Sequence, residues 1–168
     1  MKSNIIRKIG NTGSQRLTLV IVLTLLAASL SAQTPADFTG TWIQDNAKSD
    51  DFYKGFNVSM VINQTPQVFA VQLIFSDKDN KEMTKQESTF NLDGKEVSKE
   101  EHGGINKELA TWSADKKTLT TKSTRTVGTD VYGSITTYTL SADGKVLTKH
   151  TSDVNPLGPS INQVFNRK

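Results

Sequence analysis

Few side chains in this sequence could carry catalytic chemistry. The chain contains two histidines and no cysteine, which are too few ligands for a structural zinc site. His102 lies in Glu100-Glu101-His102-Gly103-Gly104, a segment typical of a charged turn, and no G-x-S-x-G nucleophile motif accompanies it. His150 shares the face of Val146 and Thr148 in a predicted strand. We therefore expect no enzymatic activity, no metal site and no cofactor. A haem held by one axial histidine is the alternative that remains open.

An arginine among hydroxyl-bearing residues is the first candidate for ligand recognition. If Leu119 points inward, the alternation of its strand turns Thr121, Ser123 and Arg125 inward as well. In the next strand, Tyr132 and Tyr138 share a face. We predict that Arg125 and these tyrosines bind the anionic head of a ligand. The alternative is that Arg125 pairs with an internal carboxylate or turns outward.

The first half of the chain supplies the richest apolar surface. Residues 57–64 and 67–75 alternate with a period of two, which predicts two strands with one strongly apolar face each. This face predicts a site for a small hydrophobic or amphipathic, fatty-acid-like molecule, unless it is ordinary packed core. The predicted ligand-binding residues are Trp42, Val58, Met60, Ile62, Phe69, Val71, Leu73, Phe75, Arg125, Tyr132 and Tyr138.

The long loop Asn46 to Gly55 carries two adjacent aromatic residues, Phe52 and Tyr53. Such a loop could be a lid over the mouth of a barrel. It could also dock on a partner protein, as an exported inhibitor or envelope interaction module with a filled core would do. The sequence leaves both interpretations open.

Residues 1–32 are typical of a cleavable secretory signal peptide. Four basic residues precede an apolar run of 12 residues, Leu17 to Ala28, and small residues follow up to Ala32. The run is shorter than the roughly 20 residues that span a bilayer, so we expect no membrane span. The remainder, residues 33–168, is predicted to be one domain that is exported to the periplasm or secreted.

The basic charge of the whole chain belongs to this leader. Of the 20 basic residues, four lie in the leader, so the remainder carries 16 basic against 17 acidic residues. A near-neutral domain of this kind gives no electrostatic reason to bind nucleic acid.

The rest of the chain alternates between apolar and polar residues in nine or ten short segments separated by turn sequences. The segment Ser113 to Thr120 resembles Ser141 to Thr148 at an offset of 28 residues, the length of two strands with their turns. So many strands would expose two sheet edges if the sheet stayed open. We therefore predict an all-β fold, an antiparallel up-and-down meander closed into a barrel of 8–10 strands.

The opening of the predicted domain resembles small exported bacterial domains of the lipocalin-like (calycin) group. The resemblance rests on Asp37-Phe38-Thr39-Gly40-Thr41-Trp42, followed by Ala47-Lys48-Ser49-Asp50. It implies a barrel whose closed end is plugged by Trp42, with the backbone approached closely at Gly40. It also implies that Arg167 covers the tryptophan ring. The function that this resemblance implies is the binding of a small hydrophobic molecule.

Overall fold

The computed structural model describes residues 33–53 and 55–168, so the predicted signal peptide lies outside the described residues. The described chain forms ten strands, and a short 3-10 turn, Asp51–Tyr53, follows the first of them. The strands are β1 (Gly40–Gln44), β2 (Asn57–Gln64), β3 (Val68–Ser76), β4 (Glu82–Asn91), β5 (Val97–Glu101), β6 (Gly104–Trp112), β7 (Thr118–Val127), β8 (Asp130–Leu140), β9 (Val146–Asp153) and β10 (Ser160–Arg167).

All ten strands belong to one antiparallel sheet with the order β4-β3-β2-β1-β10-β9-β8-β7-β6-β5. The first and last strands meet, since Trp42 of β1 lies opposite Arg167 of β10. β4 approaches β6 from the other side, but within the described residues no ladder joins β4 to β5 or β6. We call this gap the seam. The sheet is thus an up-and-down meander that forms a nearly closed barrel, which confirms the predicted fold class.

The sequence repeat builds two equivalent hairpin turns at one end of the barrel. The Ser113 hydroxyl donates to Asp115 Oδ1 at 2.6 Å and accepts the N–H that opens β7 at 3.0 Å. The Ser141 hydroxyl donates to Asp143 Oδ1 at 2.6 Å and accepts the N–H that opens β9 at 2.9 Å. Because the polar side chains satisfy the turn backbone themselves, the two hairpins fix the register of β6 to β9.

Trp42 closes the floor of the barrel. Its side chain is fully buried, and its indole Nε1 donates to the Phe38 carbonyl oxygen at 2.9 Å. The guanidinium carbon of Arg167 lies 4.2 Å from the centroid of the indole ring, a cation–π arrangement. The sequence-based expectations that Trp42 is buried and that Arg167 covers it are confirmed.

Gly40 gives Arg167 room to reach this position. A Cβ atom placed on Gly40 would lie 2.9 Å from Arg167 Nη1, and the φ angle of Gly40 is +145°. The same Nη1 donates to the Thr39 carbonyl oxygen at 2.7 Å. The glycine two residues before the tryptophan is therefore explained by the close approach of the arginine side chain.

An aromatic cluster lies on this floor. The Phe38 ring stacks on Trp112 with a centroid distance of 5.9 Å, and it meets the Phe69 ring edge-on at 6.1 Å. Tyr138 lies 5.0 Å from Phe69, measured between ring centroids. The cluster fills the lower part of the barrel and leaves the space above it to other side chains.

Candidate ligand-binding site

A cavity of about 280 Å³ lies inside the barrel above the aromatic floor. One wall is largely apolar and comes from β2, β3 and β4, and the opposite wall comes from β7, β8 and β9 and carries mostly hydroxyl groups. The residues that line the cavity are Tyr53, Met60, Val71, Leu73, Gln86, Ser88, Phe90, Thr121, Ser123, Ser134, Thr136, Tyr138, Lys149 and Thr151.

The apolar wall contains part of the predicted ligand-binding set. Met60, Val71 and Leu73 line the cavity. The other predicted apolar residues are buried without lining it, and they are Trp42, Val58, Ile62, Phe69 and Phe75. Some of the predicted apolar residues thus form the wall of the cavity, and the others form the packed core.

The hydroxyl wall follows from the pairing of β7 with β8. Thr121 lies opposite Thr136, and Ser123 lies opposite Ser134. Both pairs face the cavity, because side chains two residues apart on a strand point to the same face of the sheet. Tyr138, one of the two tyrosines predicted to bind a ligand, lines the cavity on this wall. Burial raises the pKa of Tyr138, and a hydrogen bond with Thr121 offsets a part of this effect.

Arg125 and Tyr132 lie apart from this cavity. They are a register pair at the end of β7 and β8, and they line a separate groove of about 420 Å³ that shares only Ser123 with the cavity. The Arg125 guanidinium donates to Asn106 Oδ1 at 3.1 Å and to the Glu101 and His102 carbonyl oxygens at 3.2 and 3.0 Å. Arg125 therefore stabilises the turn between β5 and β6, at the rim of the barrel.

Lys149 is the cation among the described residues that line the cavity, and it was not predicted from the sequence. Its Nζ donates to Thr151 Oγ1 at 3.1 Å and to Gln163 Oε1 at 2.9 Å. Among the described residues, no carboxylate lies within ion-pair distance of this ammonium group. Burial lowers the pKa of Lys149 from 10.5 to about 8, because the charged form loses its hydration.

The orientation of β9 explains why the lysine was missed. Leu147 is fully buried, so Lys149 and Thr151 share its inward face. Val146, Thr148 and His150, which share a face in the sequence pattern, lie on the opposite face of β9. The Nδ1 atom of His150 lies 2.7 Å from Asn162 Oδ1 at an exposed position. The alternation of Leu147, Lys149 and Thr151 could have predicted the inward face of β9. A single leucine among polar residues makes this pattern weak.

A chain of amide side chains links Lys149 to the rim. Gln163 is almost fully buried, and its Nε2 donates to Gln44 Oε1 at 2.6 Å. The Nε2 of Gln44 in turn donates to Asn46 Oδ1 at 2.8 Å, in the loop after β1. Because lysine is a donor only, this chain must present the Gln163 oxygen to the ammonium group.

The loop after β1 reaches the cavity through one of its two aromatic residues. Tyr53 lines the cavity and packs on Phe75 with a centroid distance of 5.1 Å. Phe52 lies against Tyr53 at 4.8 Å and is 63% exposed. Tyr53 thus covers part of the cavity, while Phe52 faces solvent.

Comparison with known proteins yields no match, either to a protein family or to a curated protein sequence. Within the described ranges, no group of three or more His, Cys, Asp or Glu side chains could hold a metal ion. No helix in this part of the chain is long and apolar enough to cross a membrane.

The buried lysine predicts a rise in stability with pH. Because the pKa of Lys149 is about 8 in the folded protein and about 10.5 in the unfolded chain, the unfolded chain binds more protons between these values. We expect the free energy of unfolding to rise by about 1.5 kcal/mol from pH 8 to pH 9.5, measured by urea denaturation. Lys149→Met should remove this rise, whereas Lys122→Met, at an exposed position on β7, should keep it. Parallel pH curves for wild type and Lys149→Met would contradict the assignment.

Proposed function

We propose that this protein is an exported, lipocalin-like barrel that binds one small hydrophobic or amphipathic molecule of the fatty-acid type in its cavity. The observation that carries the proposal is a cavity with an apolar wall on one side and a hydroxyl wall on the other. A surface of this kind matches a ligand with an apolar body and a polar end. The leader pattern in residues 1–32 supports export to the periplasm or secretion.

The volume of the cavity restricts the size of the ligand. The space of about 280 Å³ corresponds to roughly nine water-sized groups at about 30 Å³ each. This volume is just below the usual range of ligand pockets, about 300–1,000 Å³. An eight-carbon amphiphile, with about ten non-hydrogen atoms, therefore fits the space, and a longer tail would have to leave it.

Filling the cavity with a protein side chain tests the proposal. We expect 1-octanol or sodium octanoate to bind the wild type and to shift the NMR signals of Met60 and Thr136, which line the cavity. Ser123→Phe should weaken binding at least tenfold, because its ring would occupy ligand space. Ser98→Phe, at an exposed position on β5, should bind as the wild type does. The proposal fails if neither probe binds the wild type, or if Ser123→Phe folds and binds equally well.

The second candidate function is a module that docks on a partner protein. It is favoured by two exposed apolar side chains, Phe52 at 63% and Leu157 at 94%. Phe52 belongs to the β1–β2 connection, in which Asp50 Oδ2 accepts from the Asn162 N–H of β10 at 2.7 Å. Leu157 belongs to the β9–β10 connection. A docking module would keep its protein partner in Ser123→Phe and lose it in Phe52→Ala. A ligand-binding barrel would keep its affinity for small amphiphiles in Phe52→Ala and lose it in Ser123→Phe.

A further inference from the structure

We propose that the cavity selects a monoanionic carboxylate headgroup, and that Lys149 binds this group as a counter-ion that the described residues do not supply. This inference rests on the proposed function, since it names the chemical class of the ligand in the same cavity. It replaces Arg125, the cation predicted from sequence, by a residue that faces the ligand space.

Lys149 has no counter-ion among the described residues. None of the described ion pairs involves it, and these pairs are Lys48–Asp45, Lys85–Glu87, Lys99–Glu101 and Lys107–Glu96. No Asp or Glu is among the described residues that line the cavity. An ammonium group in this position has lost much of its hydration without gaining an opposite charge. A bound anion would compensate for that loss.

The ammonium group of Lys149 also has unused hydrogen-bonding capacity. A lysine ammonium has three N–H donors, and those of Lys149 reach two acceptors among the described residues, Thr151 and Gln163. One donor is therefore left for a ligand. The amide chain through Gln44 fixes the oxygen of Gln163 toward the lysine, which holds the ammonium group in place.

The hydroxyl groups beside Lys149 can contribute a further donor. Thr151 Oγ1 accepts from Lys149 and lies 3.1 Å from Thr136 Oγ1. When Thr151 donates its proton to Thr136, the hydroxyl proton of Thr136 is free for another acceptor. Both threonines line the cavity. A carboxylate is an acceptor with two oxygens, so it can use donors of both kinds.

The single positive charge distinguishes between anions. A carboxylate carries one negative charge, which one ammonium group neutralises. A phosphate monoester carries about 1.5 to 2 negative charges at pH 7, so it would leave excess charge in a partly apolar cavity. Octyl phosphate is therefore expected to bind less well than octanoate, and octylamine is expected to be repelled.

Among the described residues that line the cavity, the other titratable groups are two tyrosines. Tyr138 lies opposite it in the β8–β9 register, Gln163 lies opposite it on β10, and Tyr53 lines the same cavity from the loop after β1. Burial raises the pKa of both tyrosines, whereas it lowers the pKa of Lys149 to about 8. A change of octanoate binding between pH 7 and pH 9.5 is therefore expected to follow the titration of the lysine.

Isothermal titration calorimetry with four probes of equal chain length tests the inference. Sodium octanoate should bind the wild type at least tenfold more tightly than 1-octanol, octyl phosphate or octylamine at pH 7. Lys149→Met should weaken octanoate binding at least tenfold and remove the preference for octanoate over 1-octanol, while Lys122→Met should keep both the affinity and the preference. Raising the pH from 7 to 9.5 should weaken octanoate binding to the wild type about tenfold and leave 1-octanol unaffected, a measurement that needs no variant to fold.

The results separate the two proposals. If 1-octanol binds the wild type as tightly as octanoate, or if Lys149→Met keeps its octanoate affinity, the headgroup inference is wrong while the proposed function stands. If octyl phosphate binds more tightly than octanoate, the assignment to a carboxylate is wrong. If none of the probes binds the wild type, both proposals are wrong.

Discussion

Trp42→Ala is expected to lower the free energy of unfolding by about 3–5 kcal/mol, the range for removing a large aromatic side chain from a packed interior. The side chain is fully buried and donates its indole proton to Phe38. Its removal would leave a cavity at the floor and would take away the ring under the Arg167 guanidinium. Urea denaturation followed by circular dichroism measures the change.

Phe52→Ala is the matched control for this loss of an aromatic ring. Because Phe52 is 63% exposed, we expect its removal to change stability by no more than about 0.5 kcal/mol. Equal unfolding midpoints for the two variants would show that the floor does not stabilise the barrel. The fall expected for Trp42→Ala is a large part of the 5–15 kcal/mol that stabilises an ordinary domain.

Gly133→Ala is expected to destabilise the barrel by about 3 kcal/mol or more, because the position is both strained and crowded. Gly133 has a φ angle of +149°, and a Cβ atom there would overlap the Ser123 carbonyl oxygen and lie 2.8 Å from Thr124 Cα. These neighbours are backbone atoms of the paired strand β7, so no side-chain rotation can relieve the contact. Denaturation of the purified variant measures the effect.

Gly128→Ala separates backbone strain from crowding. Gly128 has a φ angle of +60°, and a Cβ atom there would meet nothing within 4 Å. This substitution should cost only about 1 kcal/mol, the penalty of a left-handed conformation without a clash. If Gly133→Ala and Gly128→Ala lower the free energy of unfolding equally, close packing of β7 and β8 does not explain why position 133 is a glycine.

The barrel was predictable from the sequence because several local signals agree. Alternation in β2 and β3 is strong, with Val58, Met60 and Ile62 on one face, and the structure buries all three. The repeated Ser-x-Asp turns mark the hairpins, and Gly40-x-Trp42 marks the floor. Each of these signals depends on residues close together in the chain, so no tertiary information was needed to read it.

The lining of the cavity and the position of Lys149 were harder to predict from the sequence than the barrel itself. In β9, Leu147 is the only large apolar residue of the inward face, so period-two alternation alone did not decide which face is buried. The decision comes from the β8–β9 register, in which Lys149 lies opposite Tyr138. Arg125 has the same alternation as Thr121 and Ser123, but it lies far enough along β7 to reach the rim. The distance of a side chain from the floor, which separates the two cations, depends on strand pairing across the whole sheet.

The seam between β4 and β6 allows the circumference of the barrel to vary. Gln86, Ser88 and Phe90, which line the cavity, all belong to β4, the strand at this border of the sheet. Moving β4 away from β6 would stretch the circumference while every ladder in the sheet stays intact. A cylinder hydrogen-bonded all the way round would lose a row of main-chain bonds in the same movement. The seam therefore lets the barrel widen at a lower energetic cost than full closure would permit.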